Sequence, residues 1–335
     1  MCDGGRDYPF VFDLGYRSQS IREAPCMKKA SGPRHATTRG IKCWPNWSRS
    51  DYSRRCIRRA STNKCTIPVR VITLSYNVIK IISVACFLAC TCAHAAGPEC
   101  YITDPKLPQS CVVDPAALNR SVIQYGDDSR LWKVFEKARA GKPITIAAIG
   151  GSITQGAWAT SQEKNYVGRV FGWWRATFPK SRMRLVNAGI GQTNSEYGDK
   201  RLQKDLLRYK PDFVITEWAN NDAITPEMRA SYKRVVQRIL AAPNHPAVLM
   251  LFTMDRKWSS AEDNQIPIGR ELGVPMIALR EAIMPLEKSG KFDPMERTAD
   301  PIHPNDLGHQ IIAQLVAYRL QSGLNNMHAT LSASK

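Results

Sequence analysis

Cysteine is missing from residues 112–335, although the whole chain contains 10 cysteines. Five of them lie in residues 1–65, and no spacing resembles the paired C-x2-C of a zinc site. The C-terminal part of the sequence therefore excludes a disulfide framework and a cysteine-based metal centre. Just before it stand Cys100 and Cys111, which we expect to form a disulfide in an oxidising compartment. The alternative is a pair of free thiols.

Acidic residues are scarce, with 29 Asp and Glu against 47 Lys and Arg, which gives a net charge of +18. The excess is uneven, because residues 1–95 hold 16 basic and 5 acidic residues. Residues 1–70 also lack sustained apolar periodicity. Two hypotheses remain: a genuine basic tail that contacts nucleic acid or anionic lipid, or a start codon assigned too far upstream. We favour the second and expect no nucleic-acid partner.

The sequence has no obvious apolar stretch of the length that a membrane-spanning helix needs, about 20 residues. Its apolar run Ile81–Cys92 has 12 residues, follows a basic flank and is followed by Ala-His-Ala. This layout is typical of a secretory signal peptide. We expect a signal peptide over residues 71–95 with cleavage near Ala95, a periplasmic or secreted product and no stable membrane insertion after cleavage. The alternative is a short buried helix or membrane anchor.

Short apolar runs alternate with helical periodicity beyond residue 128. The predicted strands are 143–149, 184–188, 212–218, 247–253 and 275–279. The predicted helices are 129–140, 166–178, 196–209, 226–241 and 304–320. This alternation predicts an α/β fold, a three-layer α/β/α sandwich with a five-stranded mainly parallel sheet. The expected organisation is an N-terminal extension (1–70), the signal peptide (71–95), a lead-in segment (96–128), the folded domain (129–325) and a tail (326–335).

Chemically useful residues follow the predicted strands, at the sheet edge where such folds bind ligands. The four blocks are GGSIT (150–154), NAGIGQTNS (187–195), ANND (219–222) and DPIHPNDLGH (300–309). In the last block, Asp300 can bond the Nδ1 of His303, which leaves Nε2 to take a proton from Ser152. The amide of Asn221 can donate a hydrogen bond into the same space.

As a set these blocks resemble the SGNH (GDSL-like) hydrolase superfamily over roughly residues 140–322. The resemblance implies a flavodoxin-like SGNH hydrolase fold and an esterase or acylhydrolase that cleaves small-molecule or glycan esters, with O-acetylated carbohydrate as one substrate class. It implies Ser152 as nucleophile, His303 as general base and Asp300 as its partner, with no metal and no organic cofactor.

The same resemblance implies an oxyanion hole formed by the N–H groups of Ser152 and Gly191 and the side chain of Asn221. Gapless comparison leaves either Gly191 or Gln192 at the second position, and we choose Gly191, since glutamine would be strained if that position needs a positive φ. Ala219 also replaces a glycine that is usual in the third block, a change we expect to be tolerated.

Two rival functions remain open: a polysaccharide O-acyltransferase with the same triad, and a non-catalytic binding protein on the SGNH fold. Among the aromatic residues, we interpret Trp173, Trp174 and Phe178 as core. Trp158 and Tyr197, which follow the first two blocks, are better candidates for lining a substrate cleft.

Overall fold

The structure, a computed structural model, describes residues 10–12 and 113–333. The signal peptide expected over 71–95 and the disulfide expected between Cys100 and Cys111 lie outside these residues. In the part of the chain that is described, no helix is long and apolar enough to cross a membrane.

Seven strands within the described residues form one sheet. They are β1 (Phe10–Phe12), β2 (Val122–Gln124), β3 (Ile144–Gly150), β4 (Met183–Gly189), β5 (Phe213–Glu217), β6 (Ala247–Phe252) and β7 (Met276–Ala278). Their order is β1-β4-β3-β5-β6-β7-β2. The five central strands are parallel and are the five predicted from the sequence, whereas β1 and β2 pair antiparallel at the two edges.

Helices cover both faces of the sheet, which confirms the predicted three-layer α/β/α sandwich. They are α1 (Pro115–Ser121), α2 (Ser129–Arg139), α3 (Ser152–Gln155), α4 (Tyr166–Thr177), α5 (Ser195–Asp205), α6 (Pro226–Leu240), α7 (Glu262–Leu272), α8 (Leu279–Lys288), α9 (Pro294–Arg297) and α10 (Asp306–Ala333). The apolar core on one face includes α1, α2, α4, α8 and α10, and the core on the other face includes α5, α6 and α7.

The central strands are apolar at successive positions because each one buries both of its faces. In β3, Ile144 and Ile146 belong to one core, while Ala147 and Ile149 belong to the other. Side chains alternate between the two faces of a strand, so a strand between two helical layers is apolar at most successive positions.

An aromatic cluster fills one of these cores, as the sequence predicted. Trp173, Trp174 and Phe178 are all buried, and Phe178 stacks on Phe135 with ring centroids 5.7 Å apart. Truncation of a buried tryptophan such as Trp174 to alanine typically costs about 3–5 kcal/mol of stability.

Two features of the helices differ from the sequence prediction. The last helix begins at Asp306, where the Asn305 side chain accepts hydrogen bonds from two backbone N–H groups. It ends at Ala333 instead of Leu320, because Met327 still buries itself in the core beyond the predicted end. Five helices of the described residues were not predicted. Helices α1, α3 and α9 have only four to seven residues, and α7 and α8 each contain an internal proline, which usually indicates a helix boundary.

Candidate active site

Two consecutive glycines make the turn that presents Ser152 at the carboxyl end of β3. A Cβ atom added to Gly150 would lie 2.4 Å from the carbonyl oxygen of Glu217, and one added to Gly151 would lie 2.2 Å from Oδ1 of Asn221. No side chain fits in these spaces. The chain therefore turns tightly against β5, and Ser152 opens the short helix α3.

Ser152, His303 and Asp300 form one continuous row of hydrogen bonds. Oγ of Ser152 lies 2.9 Å from Nε2 of His303, and Nδ1 of His303 lies 2.7 Å from Oδ2 of Asp300. The serine and the histidine are 151 positions apart in the chain, and the fold brings together the turn after β3, which carries Ser152, and the turn between α9 and α10, which carries His303. The expected meeting of these three side chains is thus seen in the structure.

The carboxylate of Asp300 is held in place by hydrogen bonds from its own turn. Its Oδ1 accepts from the backbone N–H groups of Ile302 and His303, at 2.8 Å and 2.7 Å. Partial burial raises the pKa of Asp300, but the hydrogen bonds from His303 and Ile302 outweigh it and lower the pKa to about 2. Because an ionised carboxylate can only accept hydrogen bonds, Nδ1 of His303 carries the proton and Nε2 accepts from Ser152.

A hydrogen bond that the sequence did not indicate also reaches Asp300. Nε1 of Trp158 donates to Oδ2 of Asp300 at 2.9 Å, although the Trp158 side chain is 61% exposed. Trp158 was expected only to line the cleft. No local pattern could have indicated this bond, because its partners are 142 residues apart.

Asn221 lies directly against the serine turn. Its amide group packs on Gly151, whose added Cβ would fall within 3 Å of Oδ1, Cγ and Nδ2. Oδ1 of Asn221 is buried without a hydrogen-bond partner, and Nδ2 has no acceptor within residues 113–333. An unengaged amide donor therefore stands beside the Ser152 backbone.

The loop after β4 approaches Ser152 at Gly191, whose added Cβ would lie 3.7 Å from the serine Cβ. The N–H of Gly191 donates to Oε1 of Gln155 at 2.9 Å, a contact that the sequence did not indicate. The next residue, Gln192, adopts a φ of +59°, and no acceptor for its N–H occurs among the described residues. Of the two residues considered for the second oxyanion position, Gln192 therefore has the positive φ and Gly191 does not.

A shallow polar groove extends from Asn221 along the surface. It is lined by Gln192, Thr193, Asn194, Tyr197, Asn220 and Asn221. Tyr197 is 48% exposed and is the aromatic side chain of this lining. The groove therefore offers amides, hydroxyl groups and an aromatic ring to a ligand next to Asn221.

A buried carboxyl group lies beneath the site. Glu217 at the end of β5 is fully buried, and it accepts hydrogen bonds from the hydroxyl groups of Thr253 and Thr154 at 2.7 Å and 3.0 Å. Burial raises the pKa of Glu217 to about 7, although these two hydrogen bonds act in the opposite direction. Since Thr154 follows Ser152 by two residues, Glu217 helps to fix the short helix that carries the serine.

Asp222 and His309 hold the loops around the site. Asp222 accepts from the N–H of Ser195 at the start of α5 and from the amide of Gln265 on α7, and burial raises its pKa to about 6. His309 is buried on α10, and its Nε2 bonds the carbonyl oxygen of Ala157 at 3.0 Å. Asp222 therefore anchors the third block to two helices, and His309 ties α10 to the loop after α3. Across the described stretches, no group of three or more His, Cys, Asp and Glu side chains is placed to hold a metal ion.

A parallel α/β sheet whose strand ends bring together a serine, a histidine and an aspartate has the arrangement of an α/β serine hydrolase. Comparison with known proteins then points to a family. Residues 148–311 match the GDSL-like lipase/acylhydrolase family, and this domain is similar to the SGNH hydrolases. The match supports carboxylic ester hydrolase activity for the domain.

Two relatives illustrate the similarity, one of them through two structures. Thioesterase 1/protease 1/lysophospholipase L1 of Escherichia coli (strain K12) is 24% identical over 204 residues, which are 58% of this chain and 92% of that protein. A two-domain esterase active on acetylated mannans is 34% identical, with a TM-score of 0.61 over 62% of this chain and 56% of that one. The structure of that esterase with mannopentaose is 34% identical, with a TM-score of 0.60 over 61% of this chain and 57% of that one. The chain thus spans a little over half the length of that esterase.

Proposed function

We propose that this chain is an exported serine esterase that removes acyl groups, in particular O-acetyl groups on carbohydrate, through a Ser152–His303–Asp300 triad. The observation that carries the proposal is an unbroken row of two hydrogen bonds. Oγ of Ser152 lies 2.9 Å from Nε2 of His303, and Nδ1 of the same ring lies 2.7 Å from the Asp300 carboxylate. A serine hydroxyl is a weak nucleophile unless a base removes its proton, and this row supplies the base in the correct tautomer.

The reaction proceeds in two halves. Oγ of Ser152 attacks the ester carbonyl carbon while Nε2 of His303 takes the hydroxyl proton, and the resulting imidazolium is stabilised by Asp300. The tetrahedral intermediate collapses, His303 gives the proton to the leaving alcohol oxygen, and an acyl-serine remains. Water, deprotonated by His303, then attacks the acyl group, and the carboxylic acid and free serine are released.

Negative charge on the tetrahedral oxygen is stabilised by the N–H of Ser152 and the amide of Asn221. A third donor comes from the loop after β4, where Gly191 and Gln192 are the two candidates. The N–H of Gly191 is already engaged by Gln155, whereas that of Gln192 has no acceptor among the described residues. We therefore assign the third donor to Gln192 in preference to Gly191. Its φ of +59° costs about 1–2 kcal/mol, the kind of strain that functional sites retain.

The surroundings of Ser152 favour a short acyl group on a polar alcohol. A long acyl chain needs an apolar channel, but the groove that begins at Asn221 is lined mostly by amides and hydroxyl groups, with Tyr197 at its side. Sugars bind to such surfaces through hydrogen bonds and through contact with an aromatic ring. The related esterase active on acetylated mannans supports the same substrate class.

Export and domain organisation complete the proposal. We place the signal peptide at residues 71–95 with cleavage near Ala95, which makes the mature protein periplasmic or secreted and leaves the strands β2 to β7. The hydrolase domain begins within the segment 96–128, because α1 and β2 already contribute to its core and its sheet, and the reaction as written requires neither a metal nor an organic cofactor.

The central experiment compares Ser152→Ala with the wild type on p-nitrophenyl acetate and on acetylated manno-oligosaccharides. Release of acetate should fall at least 1,000-fold because the nucleophile is lost. Ser289→Ala, which alters an exposed serine at the end of α8, serves as the matched control and should keep full activity. A fluorophosphonate should label the wild type and the control but not Ser152→Ala. Turnover by Ser152→Ala at the wild-type rate would refute the nucleophile assignment.

The same assay separates hydrolysis from acyl transfer. With p-nitrophenyl acetate as donor and an unacetylated manno-oligosaccharide as acceptor, a hydrolase releases acetate in proportion to p-nitrophenol. Accumulation of acetylated oligosaccharide at the expense of acetate would instead identify an O-acyltransferase.

A further inference from the structure

The loop between α3 and α4 contains a tryptophan in an unusual conformation. Trp158 has a φ of +63°, a region that bulky residues rarely occupy. Its indole ring is largely exposed to solvent, yet its N–H donates to Oδ2 of Asp300 at 2.9 Å. That oxygen is the one that also accepts from Nδ1 of His303. The strained loop therefore places its one indole donor on the proposed triad.

Neighbouring contacts force the loop into this conformation. The N–H of Ala157 donates to the carbonyl of Ser152 at 3.0 Å, and the carbonyl of Ala157 bonds His309. On the other side, the N–H and hydroxyl of Thr160 donate to the Asp306 carboxylate at 2.8 Å and 2.7 Å. The strain at Trp158 thus persists because Ala157 and Thr160, on either side of it, are tied to the serine turn and to α10.

Trp158 differs from the other donors to Asp300 in its origin. The bonds from Ile302 and His303 come from within the same four-residue turn, so they cannot fix that turn relative to Ser152. Trp158 follows Ser152 by six residues and belongs to the loop anchored on the serine. Its hydrogen bond therefore links the half of the site that carries the nucleophile to the half that carries the acid and base.

We propose that Trp158 is a positioning residue that locks the Asp300 carboxylate toward His303 and thereby keeps the imidazole in line with Ser152. The proposal rests on the proposed triad. The Asp300 side chain is 30% exposed, so water can compete for its Oδ2. The indole N–H of Trp158, which is held by the loop, takes the place of a mobile water donor. Hydrogen bonds to charged groups are among the stronger ones in proteins, and orientation of the base governs how readily the serine hydroxyl is activated.

Trp158→Phe tests the proposal, since it keeps an aromatic ring and removes the N–H. The assay uses p-nitrophenyl acetate, which carries no sugar that could contact the Trp158 ring. With this substrate, kcat should fall about tenfold while KM stays within about twofold. Trp132→Phe is the matched control, because the Trp132 indole also donates a single hydrogen bond, to the Gly323 carbonyl at 3.1 Å, but on α2 away from the triad. It should leave kcat unchanged. Thermal unfolding of both variants checks that the fold is intact.

A double-mutant cycle identifies the route of the effect. The rate of Ser152 labelling by a fluorophosphonate remains measurable in slow variants and is compared for Trp158→Phe, Asp300→Ala and the double variant. If Trp158 acts through Asp300, Trp158→Phe should change the rate about tenfold in the wild type and less than twofold in the Asp300→Ala background. Equal changes in both backgrounds would overturn the proposal, as would an unchanged kcat accompanied by a raised KM for acetylated oligosaccharides. If Asp300→Ala alone left labelling and turnover unaltered, the proposed triad itself would fail, which is a separate result.

Discussion

Replacing Gly151 by alanine tests the close contact on which Asn221 depends as an oxyanion donor. The φ of Gly151 is −86°, a value open to any residue, so backbone strain at φ does not demand glycine here. The added Cβ, however, would lie 2.2 Å from Oδ1, 2.7 Å from Cγ and 2.9 Å from Nδ2 of Asn221. Since Cβ contacts under 3.0 Å essentially never occur, the whole amide must move away from the serine turn.

The size of the effect follows from the loss of that donor. Removal of one oxyanion-hole donor lowers kcat by roughly 100- to 1,000-fold, or about 2.7–4 kcal/mol of transition-state stabilisation. Gly151→Ala should therefore reduce kcat on p-nitrophenyl acetate to a level near that of Asn221→Ala. KM should change little, because the interaction is made mainly in the transition state.

Steady-state kinetics of four proteins complete the test: the wild type, both single variants and the Gly151→Ala/Asn221→Ala double variant. If the alanine acts by displacing Asn221, the double variant should be no slower than the slower single variant. Gly172→Ala is the matched control, because nothing lies within 4 Å of its added Cβ and it sits inside α4. It should keep full activity and gain up to about 1 kcal/mol in stability. The reasoning fails if Gly151→Ala retains wild-type kcat, or if the losses multiply in the double variant.

Two further predictions concern groups that surround the serine. Because burial raises the pKa of Glu217 from 4.5 to about 7, the folded protein holds that proton over a pH range in which the unfolded chain has lost it. Glu217 alone should therefore lower the free energy of unfolding by about 3 kcal/mol between pH 4.5 and pH 8, and Glu217→Gln should make the decrease smaller by that amount in urea denaturation series; an identical slope in the variant would contradict this. Gln155→Ala should lower kcat about tenfold by releasing the loop that carries Gln192, whereas a rise in kcat would show that the freed N–H of Gly191 is the oxyanion donor.

Much of the fold could be predicted from local sequence. Each of the five parallel strands buries both faces, which leaves a continuous apolar run that stands out against the helical periodicity around it. The edge strand β2 was missed because Val122–Gln124 is only three residues long and half-buried, so it has no such signal. Helices α7 and α8 were missed because Pro267 and Pro285 lie inside them, and tertiary packing overrides the usual preference of proline.

By itself, the sequence determined the parallel sheet and the three side chains that meet at its edge. Strand ends of a parallel sheet converge, and Asp300 and His303 are close enough along the chain to share one turn, so these features follow from local pattern and topology. Only the tertiary structure decided the contacts between loops: Trp158 with Asp300, Gln155 with Gly191 and the amide of Asn221 on Gly151. Each of these contacts joins residues 36 to 142 positions apart in the chain, and no local propensity encodes such a contact.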